Sequence, residues 1–379
     1  MIKLAIISDD PGHGGSYKVA QDIALGLPKE EYVYQFFFLC NRPHSENAPE
    51  GIYLGSPKFD FDYSLFAYLK LAFIPSKSQE QFETMNNAIR NFQPDIIHFH
   101  THPISLSLIN GLRKVYSKKC SYIFTDHLQR ISKDTNKLYK FKDRILAKVY
   151  AKLFSKTFTI FISKLALSTA KDLGYAIEYR HDKILNTVNT ELFIPVQSPP
   201  TLKINVIYLA RLIWIKGHDI LLNAWYQLPK IEGLELHLYG IEADGGMIKN
   251  RIQSESYPNP VRYLGTTSTP DSVLREATIG VFPSYREGMP LALLEMMATG
   301  LPIVASDIPE IESLVTDQED LLLFRSGDSD DLKEKLLRLI DNPTLRHQLG
   351  INARKKVENF YSKPLWESYH ELYKQTLKI

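Results

Sequence analysis

The chain contains few cysteines, and this scarcity excludes the small disulfide-stabilised classes of protein. Its 379 residues include only two, Cys40 and Cys120, and neither has another cysteine or a histidine nearby at metal-binding spacing. Each lies in or beside an apolar run that is typical of a strand. We therefore predict two buried thiols in a reducing compartment.

A strong net charge and long apolar runs are also missing. The 45 lysines and arginines against 43 acidic residues give a formal charge of +2, so no global field favours a nucleic-acid partner. No apolar stretch approaches the roughly 18 residues of a membrane-spanning helix. The first residues, MIKLAIIS, predict a strand rather than a signal peptide. These features predict a cytoplasmic protein, with peripheral contact on the inner face of a membrane as an open alternative.

The length and the order of predicted elements indicate two α/β domains. A chain of 379 residues exceeds what one hydrophobic core normally organises. Strand-like runs alternate with helical patterns in two series, and the second series begins after residue 203. This alternation predicts parallel sheets covered by helices on both faces. The proline-rich segment 195–201 is the natural linker, which gives Rossmann-like domains over 1–194 and 195–360.

The segment 284–310, SYREGMPLALLEMMATGLPIVASDIPE, carries the clearest signal of a site. The β-branched run 278–282 before it predicts a strand, and Pro290 and Gly300 predict the two ends of a helix. Glu295 lies among leucines and methionines, where an ionised carboxylate costs several kcal/mol unless it is paired. Its partner is either a protein group, such as a loop amide or an arginine, or a pair of ligand hydroxyls.

The start of this helix favours anionic ligands. The backbone N–H groups of a first helical turn have no partner within the helix, and the helix dipole adds to their positive potential. Here that turn lies beside Gly288 and Met289. The strand, loop and helix together therefore have the groups needed to hold a sugar, a ribose and a phosphate.

Two further loops have residues suited to phosphate. Gly15 and Ser16 follow the first strand in a glycine-rich loop, which either approaches a ligand closely or is a plain turn. Tyr17 occupies the position where a dinucleotide fingerprint requires glycine, so the loop does not match the NAD pattern. Arg211 and Lys216 follow the first strand of the second series, where they either neutralise a diphosphate or are solvated surface charges.

Histidines cluster at the end of the strand-like run IIHFHTHP. His98, His100 and His102 alternate, so they share one face of an extended segment. A zinc site is the alternative reading, but no supporting carboxylate pattern is evident. The D-x-D pair Asp60 and Asp62 lies away from any predicted phosphate loop. We therefore predict no essential metal and no cofactor.

Together these features resemble glycosyltransferase family 4, a family of retaining enzymes with the GT-B fold. In that family two glutamates separated by seven residues follow a strand, and Glu287 and Glu295 have this spacing. The glycine loop, the strand ending in histidine and the arginine and lysine loop occur in the family's order. The resemblance implies two Rossmann-like domains that face each other across a cleft. It also implies that the last helix, within 361–379, crosses back to the first domain.

The resemblance also implies roles for individual residues. Glu287 is expected to hold sugar hydroxyls and Glu295 the nucleotide ribose. A histidine is expected to bond the donor sugar, with His100 fitting best, His102 second and His98 structural. His127, in a weaker match near the acceptor, receives no catalytic role. The implied catalytic residues are His100, Glu287, Arg211 and Lys216, and the implied donor-binding residues are Gly15, Ser16, Gly288, Met289, Pro290, Leu291 and Glu295.

The predicted activity follows from the resemblance. It is the retaining transfer of a hexose from a nucleoside diphosphate sugar, with uridine the commoner base in the family, to a hydroxyl of a glycan or lipid-linked acceptor. A nucleotide-sugar epimerase or hydrolase, and a noncatalytic sugar-nucleotide-binding protein, are the alternatives. The basic segment 133–156 is either a peripheral membrane helix or a surface helix whose apolar stripe packs on the core.

Overall fold

A computed structural model of the chain shows two compact units. The N-terminal unit comprises Met1–Asn186 and Pro364–Ile379, and the C-terminal unit comprises Thr187–Lys363. The structure describes residues 1–8, 14–40, 50–54, 79–101, 120–127, 147–152, 154–155, 157–176, 181–195 and 203–378.

Each unit contains a parallel β-sheet. The seven-stranded sheet of the N-terminal unit has the order β3-β2-β1-β4-β5-β6-β7, and the six-stranded sheet of the C-terminal unit has the order β10-β9-β8-β11-β12-β13. The strands are β1 Ile2–Ser8, β2 Tyr32–Phe38, β3 Ile52–Tyr53, β4 Ile96–His100, β5 Ser121–Asp126, β6 Phe158–Phe161, β7 His181–Lys183, β8 Ile204–Leu209, β9 Leu234–Tyr239, β10 Val261–Tyr263, β11 Ile279–Phe282, β12 Ile303–Ser306 and β13 Leu322–Phe324.

Helices connect the strands, as the alternating sequence pattern predicts. Residues 147–152 are also helical, and a short 3-10 helix spans Trp214–Lys216. The α-helices are α1 Gly15–Gly26, α2 Gln79–Phe92, α3 Lys164–Asp172, α4 His218–Tyr226, α5 Met247–Ser254, α6 Pro270–Arg275, α7 Leu291–Ala298, α8 Pro309–Glu312, α9 Ser329–Ile340, α10 Pro343–Phe360 and α11 Leu365–Leu377.

In each sheet the strand order reverses at one point, and the candidate sites lie at that point. In the N-terminal unit the reversal lies between β1 and β4, where Ser8 pairs with His100. In the C-terminal unit it lies between β8 and β11. The loops after the two central strands diverge at such a point and leave a crevice at the carboxyl ends of the strands. The predicted glycine loop, histidines, cationic loop and first glutamate all follow these four strands.

The last helix belongs to the N-terminal unit, so the predicted crossing of the chain is confirmed. Helix α11 packs on α1, and a side chain at Gly26 would overlap the indole ring of Trp366. Lys374 on α11 also forms a 3.0 Å ion pair with Glu31. The Trp366 ring fits only because Gly26 has no side chain, and Lys374 needs the charge of Glu31. These contacts fix how α11 lies on α1.

The boundary between the units differs from the predicted one. It lies between residues 186 and 187 rather than between 194 and 195. The N–H group of Val188 donates to the carbonyl oxygen of Tyr361 at 2.9 Å, and the Phe193 side chain is buried in the C-terminal unit. The guanidinium of Arg354 donates to the carbonyl oxygens of Phe193 and Thr190. These contacts hold the segment before the predicted linker on the second unit, and the linker beyond Pro195 lies outside the described residues.

The predictions for the cysteines, for the basic segment and for membrane-spanning helices have separate outcomes. The thiols of Cys40 and Cys120 are half-buried rather than buried, because one follows β2 and the other precedes β5 at the margins of the sheet. Most of the basic segment 133–156 lies outside the described residues, as do Asp60, Asp62 and His102. Among the described residues, no helix has both the length and the apolar character that crossing a membrane requires.

Candidate functional site

Two loops of the C-terminal unit are held together at the ends of β8 and β11. The N–H group of Tyr285 donates to the carbonyl oxygen of Ile215 at 2.9 Å. Gly217 has a left-handed backbone with φ of 68°, and a Cβ atom there would lie 2.0 Å from the carbonyl oxygen of Pro283. Glycine avoids both the strain of this conformation and the overlap. The close approach of the two loops therefore depends on the absence of a side chain at Gly217.

This approach brings Lys216 and Glu287 together in an ion pair. The ammonium Nζ of Lys216 lies 2.7 Å from Oε1 and 2.8 Å from Oε2 of Glu287. The hydroxyl of Tyr208 donates to the backbone carbonyl oxygen of Lys216 at 2.7 Å and lies 3.2 Å from the hydroxyl of Ser284. Burial, and then the carboxylate of Glu287, raise the pKa of Tyr208 well above its usual value, so its hydroxyl stays a donor. The pair is thus fixed from both loops.

The ion pair keeps binding capacity for a ligand. The side chains of Lys216 and Glu287 are 19% and 8% exposed, so one edge of the pair reaches solvent. An ammonium has three N–H donors, and two of them point at the carboxylate. A carboxylate can accept about four hydrogen bonds. The pair can therefore bond a phosphate oxygen through Lys216 and sugar hydroxyls through Glu287 at the same time.

Helix α7 begins directly after this loop, as predicted. Pro290 precedes its first residue, no side chain caps its N-terminus, and Gly300 follows its end with a left-handed φ of 69°. Glu295 is 6% exposed, so the prediction that this carboxylate is buried in the helix is confirmed. Gly288 and Met289 are also buried and place the loop against the first turn of α7.

Glu310 is a member of this group that sequence reasoning missed. It lies on the short helix α8, where burial raises the pKa of its carboxyl group. The backbone N–H groups of Glu310 and Glu287 and the cation Arg286 lower this pKa and so act against burial, whereas the carboxylate of Glu287 raises it further. The sequence offered one signal. Glu310 directly follows Pro309 and precedes a second acidic residue, Glu312, by two positions. We interpret Glu310 as a brace for the backbone of the Glu287 loop.

The cationic loop has one exposed and one buried side. Arg211 is exposed, and the described residues place no acidic group in an ion pair with it. His218, at the start of α4, is 1% exposed, and its Nδ1 has no hydrogen-bond partner among the described residues. Burial is the main cause that lowers the pKa of His218 to about 4. The loop therefore has a cation available to solvent above a neutral buried imidazole.

The glycine loop of the N-terminal unit leads into α1. Gly14 is the N-cap residue, without a capping side chain, and Gly15 and Ser16 are the first residues of the helix. Gly15 is exposed and Ser16 is half-buried, so this turn lies at the surface of the unit. This arrangement is compatible with the implied phosphate contact, whose role stays a prediction.

A chain of imidazole rings lies at the ends of β4 and β5. Nδ1 of His100 is 2.9 Å from Nε2 of His127, and Nε2 of His100 is 3.3 Å from Nδ1 of His98. The predicted side-by-side placement of His98 and His100 is confirmed, with ring centroids 4.0 Å apart. His98 and His100 are fully buried, whereas His127 is half-buried. The sequence did not predict the contact of His127 with His100, because the two residues lie on different strands or at their ends.

Helix α11 completes this network with two tyrosines. The hydroxyl of Tyr373 is 2.7 Å from Nδ1 of His98, and the hydroxyl of Thr125 lies 2.8 Å from Nε2 of His98. Tyr369 then contacts the Thr125 hydroxyl at 3.0 Å. Burial, and then the neighbouring histidines, hold the pKa of His98 and of His100 well below the usual value. Both rings are therefore neutral at physiological pH.

The structure thus brings some of the predicted site residues into contact. Lys216 contacts Glu287 directly, Glu295 lies on the helix that follows, and His100 belongs to the imidazole chain of the other unit. Within the described ranges, no three His, Cys, Asp or Glu side chains are grouped as metal ligands would be. The expectation that no metal or cofactor is needed stays a prediction.

Comparison with known proteins agrees with this geometry. Residues 190–356 match the family model described as glycosyl transferases group 1. The chain is 28% identical over 180 residues to the capsular polysaccharide biosynthesis glycosyltransferase CapM of Staphylococcus aureus, which covers 45% of the chain and 46% of CapM. It is 32% identical over 118 residues to N,N'-diacetylbacillosaminyl-diphospho-undecaprenol alpha-1,3-N-acetylgalactosaminyltransferase of Campylobacter jejuni, with 31% of each chain covered. The chain thus spans about half the length, or less, of these curated relatives.

A solved structure agrees over the whole chain. HepE from Anabaena, in complex with UDP-glucose, superposes with a TM-score of 0.76 at 14% identity and covers 99% of this chain and 100% of HepE. At this identity the likeness shows the fold alone. The predicted GT-B fold, with two Rossmann-like domains, is confirmed. Residues 190–356, within the C-terminal unit, thus match the glycosyl transferases group 1 family, and the chain has the GT-B fold.

Proposed function

We propose that the chain is a retaining glycosyltransferase that transfers a hexose from a nucleoside diphosphate sugar to a hydroxyl group. The observation that carries this proposal is the ion pair of Lys216 with Glu287, at the start of the helix that contains the buried Glu295. It combines a cation for phosphate and a carboxylate for sugar hydroxyls in one place. This place lies within the family domain at 190–356.

Each group has a defined task in the proposed reaction. Glu287 accepts hydrogen bonds from the sugar, Glu295 from the ribose, and Gly15 and Ser16 contact the donor phosphates. Met289, Pro290 and Leu291 line the start of α7 beside Gly288. Arg211, Lys216 and the amides of the first turn stabilise the departing diphosphate, where negative charge develops. Such preorganised donors typically contribute 100-fold to 1000-fold each in rate.

The proposed chemistry retains the anomeric configuration. The acceptor oxygen bonds to the anomeric carbon on the face from which the diphosphate leaves. At the same time the bond between the anomeric carbon and the phosphate oxygen breaks. The proton of the acceptor hydroxyl passes to the departing phosphate oxygen, so no protein base is required. Both ring nitrogens of the buried His100 contact other histidines, so its proposed role is to position the transferred sugar through the imidazole chain of the N-terminal unit rather than by direct contact.

The similar proteins support the proposed classes of substrate. The HepE structure contains UDP-glucose, and the name of the Campylobacter relative describes transfer to a sugar on diphospho-undecaprenol. We propose a UDP-linked hexose as donor and a glycan or lipid-linked saccharide as acceptor. Contact of segment 133–156 with an anionic membrane surface, in a cytoplasmic peripheral protein, is part of the same proposal. The proposed enzyme uses no metal or cofactor.

One experiment separates this proposal from its alternatives. The protein is incubated with a panel of nucleotide sugars, with and without bacterial membrane lipid extract, and release of nucleoside diphosphate is followed. A transferase requires the acceptor extract for rapid release, and the anomeric proton of the product shows the donor's configuration. Equal turnover without acceptor indicates an epimerase or hydrolase, and binding without turnover indicates a noncatalytic protein. Either of these two results, or an inverted product, contradicts the proposal.

A matched variant links the activity to the ion pair. Glu287→Gln keeps the shape of the side chain but removes the charge that holds Lys216. The control is Glu235→Gln, which removes the charge of Glu235 from its ion pair with Arg262. Glu235 lies at the start of β9, and therefore at the opposite end of the sheet from the site. We expect a loss of about 100-fold in kcat for Glu287→Gln and wild-type activity for Glu235→Gln.

A further inference from the structure

A hydroxyl group on the last helix of the chain lies within hydrogen-bond distance of the imidazole chain. Tyr373 is fully buried, and its hydroxyl is 2.7 Å from Nδ1 of His98. From His98 the contacts continue to His100 and then to His127, which is the half-buried member. The four side chains come from β4, from the end of β5 and from α11. A group on α11 is thus connected to the carboxyl edge of the sheet, where the candidate site of this unit lies.

The position of one proton on His98 decides the positions of the others. A neutral imidazole has one N–H donor and one nitrogen acceptor. Nδ1 of His98 faces two groups, the Tyr373 hydroxyl and Nε2 of His100. The lone pair and the N–H bond of an imidazole nitrogen are equally directional, so the distance to Tyr373 decides between them. The 2.7 Å separation is shorter than the roughly 2.9–3.0 Å usual for an N–H···O bond and is typical of a hydroxyl donor, so Nδ1 of His98 accepts from Tyr373.

With Nδ1 of His98 as the acceptor, the remaining protons follow in order. Nε2 of His98 carries the proton and donates to the hydroxyl of Thr125. Nε2 of His100 donates to His98, so Nδ1 of His100 is an acceptor and receives the Nε2 proton of His127. All three rings then have the Nε2–H tautomer, and Nδ1 of His127 carries a lone pair.

We propose that Tyr373 is a positioning residue that fixes the tautomers of His98, His100 and His127, and thereby the hydrogen-bonding face that the N-terminal unit offers to a sugar hydroxyl. The part of this inference that concerns a sugar rests on the proposed function. The part that concerns tautomers rests on the contacts alone. Burial keeps the pKa of His98 and His100 low, so both rings remain neutral, as a defined tautomer requires.

The test is the tautomer of each histidine in Tyr373→Phe. Long-range proton–nitrogen NMR spectra of histidine-labelled protein distinguish the two tautomers, and single His→Gln variants assign the signals. We expect the Nε2–H form for all three rings in the wild-type protein. In Tyr373→Phe we expect a mixture of tautomers at His98 and His100. An Nδ1–H form of His98 in the wild-type protein overturns the proposal, and this measurement does not depend on whether the variant folds.

Tyr369→Phe is the matched control. It removes a hydroxyl that is equally buried and one helical turn away, but that contacts Thr125 rather than Nδ1 of His98. We expect its histidine tautomers to be those of the wild-type protein. Identical spectra for the two variants, whether changed or unchanged, contradict the specific role of Tyr373.

Turnover adds a second readout. If the proposed function holds, Tyr373→Phe lowers kcat about fivefold to tenfold, as expected for one buried hydrogen bond, with little change in KM for the donor. Tyr369→Phe, which removes a hydroxyl that contacts Thr125 rather than an imidazole ring, lowers kcat less than Tyr373→Phe does. A tautomer change without any transferase activity in the wild-type protein contradicts the proposed function but not the role of Tyr373. Wild-type kcat in Tyr373→Phe contradicts its role in turnover.

Discussion

The two units place candidate groups at the same topological position but use different chemistry there. In the C-terminal unit, the loops after β8 and β11 hold an ion pair with one edge in solvent, Lys216 with Glu287. In the N-terminal unit, the ends of β1 and β4 lie beside neutral, buried imidazoles and hydroxyl groups. A charged pair can bind a charged ligand, whereas a neutral network orients uncharged hydroxyls at little electrostatic cost. One fold, used twice, therefore supplies two kinds of recognition.

The largest expected effect tests the charged side of this comparison. Lys216→Met removes the cation and leaves the carboxylate of Glu287 buried and without its partner. We expect kcat/KM for the donor to fall by about 100-fold to 1000-fold. The control is Arg262→Met, which breaks the ion pair with Glu235 at the far end of the sheet. Steady-state kinetics measures both, and a Lys216→Met variant with more than a tenth of wild-type kcat/KM would show that the ion pair is structural only.

The second prediction concerns the approach of the two loops that creates the ion pair. Gly217→Ala introduces a Cβ atom at a left-handed φ and against the carbonyl oxygen of Pro283. Gly245→Ala has a similar φ of 72°, but a Cβ atom there meets nothing within 4 Å. We expect a loss in the free energy of unfolding of about 3 kcal/mol for Gly217→Ala and about 1 kcal/mol for Gly245→Ala. Urea denaturation measures both, and equal losses would show that the backbone conformation alone matters.

The third prediction uses pH to compare the units. His98 and His100 stay neutral in the folded protein because their pKa values are well below 6.5, whereas the unfolded chain protonates them as the pH falls below that value. The unfolded state then binds more protons, so the free energy of unfolding falls by about 1.4 kcal/mol per pH unit for each histidine. Above about pH 6.5 neither histidine contributes, because both states are then neutral.

The C-terminal unit should show a weaker dependence from its buried histidine. His218, with a pKa lowered to about 4 mainly by burial, contributes in this way in that unit. Between pH 7.5 and pH 5.5 we expect the protection of amides in β4 and β5 to fall by about twice as much, in free energy, as that of amides in β8 and β9. Native-state hydrogen exchange measures this, and an equal or smaller loss in the N-terminal unit contradicts the prediction.

The smallest expected effect concerns Glu310, the brace of the Glu287 loop in the C-terminal unit. Glu310→Gln keeps an oxygen that accepts the backbone N–H groups, whereas Glu310→Leu removes it and leaves the Glu287 amide without its acceptor. We expect kcat/KM to fall about twofold in the first variant and about tenfold in the second. If both variants lose activity equally, the charge of Glu310 matters rather than its hydrogen bonds.

Much of the fold could be predicted because its signals are local. Alternating apolar runs predicted the parallel strands, and Pro290 and Gly300 predicted the limits of α7. The boundary between the units was less predictable, because Arg354 binds carbonyl groups about 160 residues earlier in the chain, as the Phe193 contact shows. No composition signal marks such a contact.

The residues of the candidate site also divide into those that the sequence could predict and those that it could not. Short motifs and the family resemblance that they carry predicted roles for Glu287, Glu295, Arg211, Lys216 and His100, and these roles stay predictions. Glu310 was not predicted because the Glu287 loop that it faces follows a different strand, and the contact of His127 was not predicted because His100 lies on another strand. The same limit applies to the cysteines, whose half-burial depends on where they lie along the sheet margin.

The amino-acid sequence by itself determined the elements, their order, the buried carboxylate of Glu295 and the likeness to a family, because hydrophobic periodicity and short motifs act over a few residues. The tertiary structure alone decided that Lys216 pairs with Glu287, 71 residues away, and that Tyr373 reaches His98, 275 residues away. Those pairs exist because the order of strands in each sheet brings distant loops to one edge. Strand order depends on the packing of the whole unit, and no local pattern encodes it.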